Sequence, residues 1–593
     1  MLGKMSAFMA MLSPSAFAAS PVFFEGFDSY SVAKGHFGDT ANYKLVLDSG
    51  RTAAMVKGLD STKSIYLTYS LPLDSVRGRV LLVSASTRAA NLTRAPKASN
   101  GVKVMFTVMH SDSTSENPQI PWPDTLKTYP WQGSSMIVTV PGNALKANLV
   151  LGLELAAGTV FFDSIRIDRI GSAEQPAARS IAGPIPFAFG SVKSRGAMIG
   201  VPPTSDALAN FGSTWKANLV RWQLNGPYGL SYLLSQSNYD SLLQAEFDYL
   251  DQGLPVCKAN GIRVVIDMHQ MSTGLFLGAA QQKLLLDTWK KIAQRYGGNP
   301  AVAGYDLANE PDEASWRPGA LLWNELADTL CRVIRSVDNL TPIVIEPVQA
   351  DVQKFAQLQP VGWNRGWDLP NIVYSFHFYT PSTLTAQGVS GNASIGAVYP
   401  GAIDGVDYDS TRLRKAMQPA VDFQKRYQVP IYVGEFSCIR WAPEHSALHW
   451  LTDVTNILES QGWDWSYHAY REYQGWSVEY SDSLADTRSN LNTDRKALLL
   501  SLYARNANPS RLRGPAGETR FDLHNLRWQR KGPGTVRVAG IPAGAALEIR
   551  GPGGKLEGRI SGQSPEIHLK PGMYWCRVTG AVHSNWEAVP SIW

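Results

Sequence analysis

The chain has 593 residues, with 55 Lys and Arg against 50 Asp and Glu, a formal charge of +5 that is small for this length and argues against nucleic acid as a partner. Charged residues make up 18% and hydrophobic ones 44%, and no apolar run approaches the ~18 residues of a membrane span. The composition is that of a folded chain with a large core and no membrane span, read here as a monomer of three domains.

The first residues read as a signal peptide, 1–18: Lys4, an apolar stretch from Met5 to Leu12, and Ala16-Phe17-Ala18 as a small-residue cleavage site. Secretion, to the periplasm or the medium, is therefore expected. The four cysteines, Cys257, Cys331, Cys438 and Cys576, are too few and too scattered for a disulfide framework or a metal-binding spacing.

From 21 to 170 short alternating segments, such as Val80 to Ser86, Val102 to Val108 and Thr159 to Ile167, are separated by Gly, Pro, Asn and Ser clusters. This spacing predicts a jelly-roll-like β-sandwich. Residues 171–183, rich in Ala, Ser, Gln and Pro, read as a linker.

Between 184 and 508 the pattern changes to apolar strands alternating with amphipathic helices. Eight strands are predicted: Arg195 to Val201, Leu219 to Leu224, Arg263 to His269, Val302 to Glu310, Ile343 to Pro347, Ile372 to Tyr379, Ile431 to Phe436 and Trp463 to His468. Helices such as Tyr239 to Asn260 and Ala279 to Tyr296 lie between them, so the reading is a (β/α)8 TIM barrel. The Gly- and Pro-rich remainder, 509–593, reads as a small β domain. The predicted fold class is thus a central barrel flanked by two β domains.

In such a barrel, functional side chains project from the C-terminal ends of the strands. The predicted ends supply Arg221, Asp267 and His269, Asn309-Glu310, His377 and Tyr379, Glu435, and Trp465. Strands four and seven face one another across the mouth, so Glu310 and Glu435 can meet. Two carboxyl groups about 5 Å apart suit a retaining glycosidase, and a wider gap suits inversion.

Ala308-Asn309-Glu310-Pro311, Tyr432-Val433-Gly434-Glu435-Phe436 and His377-Phe378-Tyr379 resemble, in that set, glycoside hydrolase family 5, the cellulase family of retaining (β/α)8 enzymes, over about Ser194 to Tyr480. The resemblance implies that Glu310 is the general acid/base and Glu435 the nucleophile. It places Arg221 beside Glu435, Asn309 on the 2-hydroxyl of the cleaved sugar, His269 and His377 in the same subsite, and Tyr379 as a donor to Glu435. It also makes Trp465 the strand-eight platform for a sugar face. Trp363, Trp367, Trp441 and Trp476 fall in predicted loops and are candidates for outer subsites, since sugar clefts use aromatic faces. No cofactor is expected, and no catalytic metal.

Two features depart from the family pattern. His468-Ala469-Tyr470-Arg471-Glu472-Tyr473 is more charged than a plain cellulase would carry there, and His269-Gln270 is not followed by the common His-Gly. Phe161-Phe162-Asp163-Ser164-Ile165 resembles the closing strand of carbohydrate-binding jelly rolls, with a purely supporting role equally open and only Trp122 and Trp131 as platforms. The expected partner is a polysaccharide, and the expected activity a secreted endo-β-1,4-glucanase. The same mechanism on mannan, β-1,3-glucan or a bacterial exopolysaccharide is the alternative, and a non-catalytic glycan-binding barrel the third reading.

Overall fold

The computed structural model describes residues 21–27, 42–93, 99–110, 114–121, 128–181, 183–200, 202–224, 236–269, 274–389 and 395–507, and beyond residue 526 the strands given below. The predicted leader 1–18, Trp122 and Gln270 lie outside the described residues.

Eight parallel strands close into a barrel: Arg195–Ile199, Leu219–Gln223, Arg263–Asp267, Val302–Asp306, Ile343–Ile345, Ile372–Phe378, Ile431–Phe436 and Asp464–Tyr470. Almost every residue in these strands is buried, as expected of a parallel sheet covered on both faces. Helices such as Gln236–Ala259, Ala279–Tyr296, Trp323–Arg335 and Ser446–Gln461 form the outer ring. Each turns its apolar face inward, as Leu285, Trp289 and Ile292 show in one of them.

The barrel floor is apolar. Phe189 packs edge-on against Tyr432 with ring centroids 5.0 Å apart, in a cluster with Leu219, Val265, Ala303, Val344 and Val373. Asp464, at the start of strand eight, ties this floor by accepting the backbone N–H of Ala188 at 2.6 Å and of Ser194 at 2.5 Å. Because strand side chains alternate, Leu219 belongs to the floor and Arg221, two residues on, to the layer above it.

Between strands five and six, short 3-10 turns, Val348–Ala350, Val352–Ala356 and Trp363–Arg365, stand where a full helix would be. The N-terminal part of the chain lies against this stretch. It forms two antiparallel sheets, one containing Arg79–Ala90, Tyr129–Val140 and Gly158–Ser172, the other Ile65–Ser70, Gly101–Met109 and Lys146–Glu154. Their facing sides share a core that includes Val83, Phe106, Leu151 and Phe162. Lys354 Nζ reaches Glu116 at 2.9 Å, and Gln359 Nε2 donates to the carbonyl of Glu174 at 2.9 Å. Val80 and Ala173 join the hydrophobic core of the barrel.

Beyond residue 526, Arg527–Gly532, Thr535–Ala539 and Glu566–His568 form one small sheet, and Leu556–Ser561, Ala545–Arg550, Met573–Gly580 and Glu587–Pro590 another. Among the described residues no helix is long and apolar enough to cross a membrane.

Strand one is held to its neighbourhood by an ion pair. Arg195 grips Glu459 with two bonds of 2.9 and 2.7 Å, and Lys193 adds a third at 3.1 Å. Burial works against the charge of Glu459, but Arg195 and Lys193 outweigh it and bring its carboxyl from 4.5 down to about 2. A folded-state value below the unfolded one means that this stabilisation is complete above about 4.5 and disappears as the pH falls towards 2. Urea unfolding from pH 7 to pH 2.5 is therefore expected to show a smaller acid-induced loss of stability in Glu459→Gln than in the wild type, with the gap between them closing at low pH.

Candidate active site

The mouth of the barrel is organised around one guanidinium. Arg221 is 0% exposed and lies among acidic groups from four other strands or their ends. Its Nε donates to Asp306 at 2.9 Å, its Nη1 to Glu435 at 2.7 Å, and its Nη2 to Glu346 at 3.0 Å and Asn309 at 3.1 Å. Asp267 Oδ1 stands 3.0 Å from the same Nη2.

Glu435 is buried at the end of strand seven. Its second oxygen accepts the hydroxyl of Tyr379 at 2.7 Å, and His468 Nδ1 lies 3.6 Å away. Burial would raise its carboxyl, but His377, His468, Arg221 and His269 together hold it far below the usual carboxylate range, so it stays ionised. Asp306 shows the opposite outcome. Burial, together with the charges of Glu346 and Asp267, pushes its carboxyl well above the normal value in spite of Arg221.

Glu310 differs from Glu435 in exposure, with a side chain 44% open against 6%. The regular strand stops at Asp306, four residues earlier than predicted, and Glu310 adopts a left-handed backbone with φ of 45°. Its Oε1 is 2.8 Å from His377 Nδ1, and one ligand atom each of Glu310, His377 and Glu435 lie within 4.8 Å of one another. That trio could together reach one cation. His377 is buried, which disfavours its charge, yet Glu346 and Glu435 raise its pKa well above the ordinary imidazole value. His269 bonds Asp267 at 2.8 Å and has a raised pKa, with burial outweighed by that carboxylate.

Of the residues singled out from sequence, Arg221, Asn309, Glu310, His377, Tyr379 and Glu435 converge here, with His269 at the edge. The expectation for Trp465 is corrected. Strand eight begins at Asp464, so Trp465 lies at its N-terminal end, is 0% exposed, donates its Nε1 to Glu459 at 3.0 Å and packs on Phe436. The mouth end of that strand instead supplies His468, which hydrogen-bonds Tyr379. Trp441 is likewise a core residue, 7% exposed, with its Nε1 donating to the carbonyl of Gln387 at 2.9 Å.

Trp363 and Trp367 are corrected too. They precede strand six, in the connection that arrives at the N-terminal face, and Trp367 packs on Tyr427, just before strand seven, and under Arg179. Trp476 alone of these four candidates lies at the catalytic mouth, with its ring 6.0 Å from that of His468 and 6.3 Å from that of Tyr379. Sequence reading passed over Glu346 and Asp306. Glu346 directly follows Ile343–Ile345, so reading the end of strand five, as was done for its neighbours, would have found it.

A charged (β/α)8 barrel mouth with paired carboxylates suits glycoside hydrolysis, and the family match makes the domain a glycoside hydrolase. Residues 186–473 match the family model of cellulase, glycosyl hydrolase family 5, and this segment is a family 5 domain. The chain is 25% identical over 285 residues to endoglucanase C of Acetivibrio thermocellus, covering 41% of this chain and 78% of that one. It is 22% identical over 246 residues to cellodextrinase A of Ruminococcus flavefaciens, covering 39% and 70%. Among solved structures, a hyperthermophilic endo-β-1,4-glucanase in complex with substrate aligns at 21% identity over 53% of this chain and 97% of its own, with a TM-score of 0.42.

The two tryptophan placements separate cleanly in experiment. Trp465→Ala is expected to cost about 3–5 kcal/mol of stability by opening a core cavity, whereas Trp476→Ala, at a half-buried ring, is expected to cost clearly less and to raise KM on a soluble β-glucan several-fold. Thermal melts and steady-state kinetics on the two variants check this.

Proposed function

We propose that the chain is a secreted, retaining endo-β-1,4-glucanase. The observation that carries the mechanism is the approach of Glu310 and Glu435 oxygens to within 4.8 Å, which suits the roughly 5 Å of a pair in which one carboxylate attacks directly rather than the wider gap of an inverting pair. The relatives named endoglucanase support the glucan.

Ionised Glu435 attacks the anomeric carbon as the glycosidic C–O bond breaks, and the proton of Glu310 passes to the departing sugar oxygen. A covalent glycosyl-enzyme results. Water then attacks the same carbon, gives its proton to Glu310 and releases Glu435. Arg221 and Tyr379 hold the nucleophile ionised and aimed through bonds of 2.7 Å each. Asn309, whose carbonyl oxygen accepts from Arg221, offers its amide N–H to the 2-hydroxyl.

A second reading keeps the mechanism and changes the polymer to a non-cellulosic β-glycan such as mannan, β-1,3-glucan or an exopolysaccharide. It is favoured by the polar strand-eight end, where His468 stands at the nucleophile and Glu472 accepts Gln223 Nε2 at 3.0 Å. A non-catalytic role has little support, because a binding barrel has no use for an ionised buried carboxylate beside an open one.

Reducing-sugar release on carboxymethylcellulose, β-mannan, laminarin and mixed-linkage glucan tests both readings. The wild type is expected to cut β-1,4-glucan and Glu435→Ala to lose at least about three orders of magnitude. Cleavage of mannan or laminarin alone would select the second reading.

A further inference from the structure

We propose that Glu346 is a positioning residue that fixes the carboxyl of Glu310 for protonation of the leaving oxygen. This rests on the acid/base role of Glu310 given above. Glu346 is fully buried, so it touches no sugar, yet it holds Glu310 from two directions. Its Oε2 accepts the backbone N–H of Glu310 at 2.7 Å, at the residue whose left-handed backbone turns the side chain towards the cleft. Its Oε1 lies 2.9 Å from His377 Nε2, and the other nitrogen of that ring is 2.8 Å from Glu310 Oε1. The arrangement runs carboxylate, imidazole, carboxyl, with the first member also anchoring the main chain of the last.

Glu346 is itself immobilised. Arg221 Nη2 bonds its Oε1 at 3.0 Å, and Trp323 Nε1 donates to its backbone carbonyl at 2.7 Å. A group placed only to neutralise Arg221 would have no reason to reach Glu310 with its second oxygen. Substitution of Glu346 should therefore harm the step that needs an acid more than the attack by Glu435.

Leaving-group chemistry separates the two, because a 2,4-dinitrophenolate departs without a proton and a sugar alkoxide does not. The full chain, Glu310→Ala and Glu346→Gln are compared on 2,4-dinitrophenyl β-cellobioside and on carboxymethylcellulose. Glu346→Gln is expected to lose roughly 30- to 100-fold in kcat/KM on the polymer, mostly in kcat, and under about threefold on the aryl glycoside. An equal loss on both substrates, or none on either, overturns the proposal.

Glu310→Ala should show the same selectivity more strongly, with azide restoring turnover of the aryl glycoside. If it does not, the assignment of Glu310 as acid has failed and the role of Glu346 falls with it, a result distinguishable from failure of Glu346→Gln alone. Inactivity of the wild type on both substrates overturns the glucan reading and this proposal together. Should Glu346→Gln not fold, Glu346→Asp carries the same test. It keeps a charge for Arg221 while drawing the carboxylate one methylene away from the Glu310 N–H.

Discussion

A guanidinium taken wholly out of water is among the costliest groups a protein can bury, and Arg221 is tolerable only because acceptors surround it. Those acceptors come from strands or strand ends three, four, five and seven, while Arg221 itself belongs to strand two. One side chain therefore fixes the relative height of five strands at the level where chemistry is placed. The planar fork of arginine suits this task, since its donors leave in fixed directions towards separate partners, which a lysine ammonium cannot do.

The same cluster carries more carboxylates than one cation can balance, and the excess is settled differently at each position. Asp306 is pushed towards its neutral form, Glu435 is held ionised by Arg221 and the nearby imidazoles, and His377 is driven towards its charged form by the acids on either side. Two carboxyl groups of similar burial are thus shifted in opposite directions because of what lies beside them.

Much of the barrel was legible because buried parallel strands leave apolar runs at a regular spacing, and the strand-end rule then pointed to Arg221, Asn309, Glu310, His377, Tyr379 and Glu435. Its failures trace to boundaries and direction. Strand eight starts at Asp464 and runs on to Tyr470, so the aromatic chosen as its end, Trp465, lies at its beginning and the end is His468. Trp363 and Trp367 were placed at the mouth for being in a loop, but a connection that leads into a strand reaches the opposite face of the barrel from one that leaves it. Periodicity cannot show which carboxylates will share a cation, so Asp306 and Glu346 carried no signal beyond their position.

The flank between strands five and six, walled by short turns in place of a helix, changes the status of the N-terminal sheets. Val80 and Ala173 complete the barrel's own hydrophobic core there, and Lys354 and Gln359 bind across the seam. A module that only tethers an enzyme to its polymer can be cut away or exchanged for another without cost to the catalytic unit. This one cannot be treated as cargo. Its removal would expose the patch of barrel core that Val80 and Ala173 now cover, and with it the turns that carry Lys354 and Gln359.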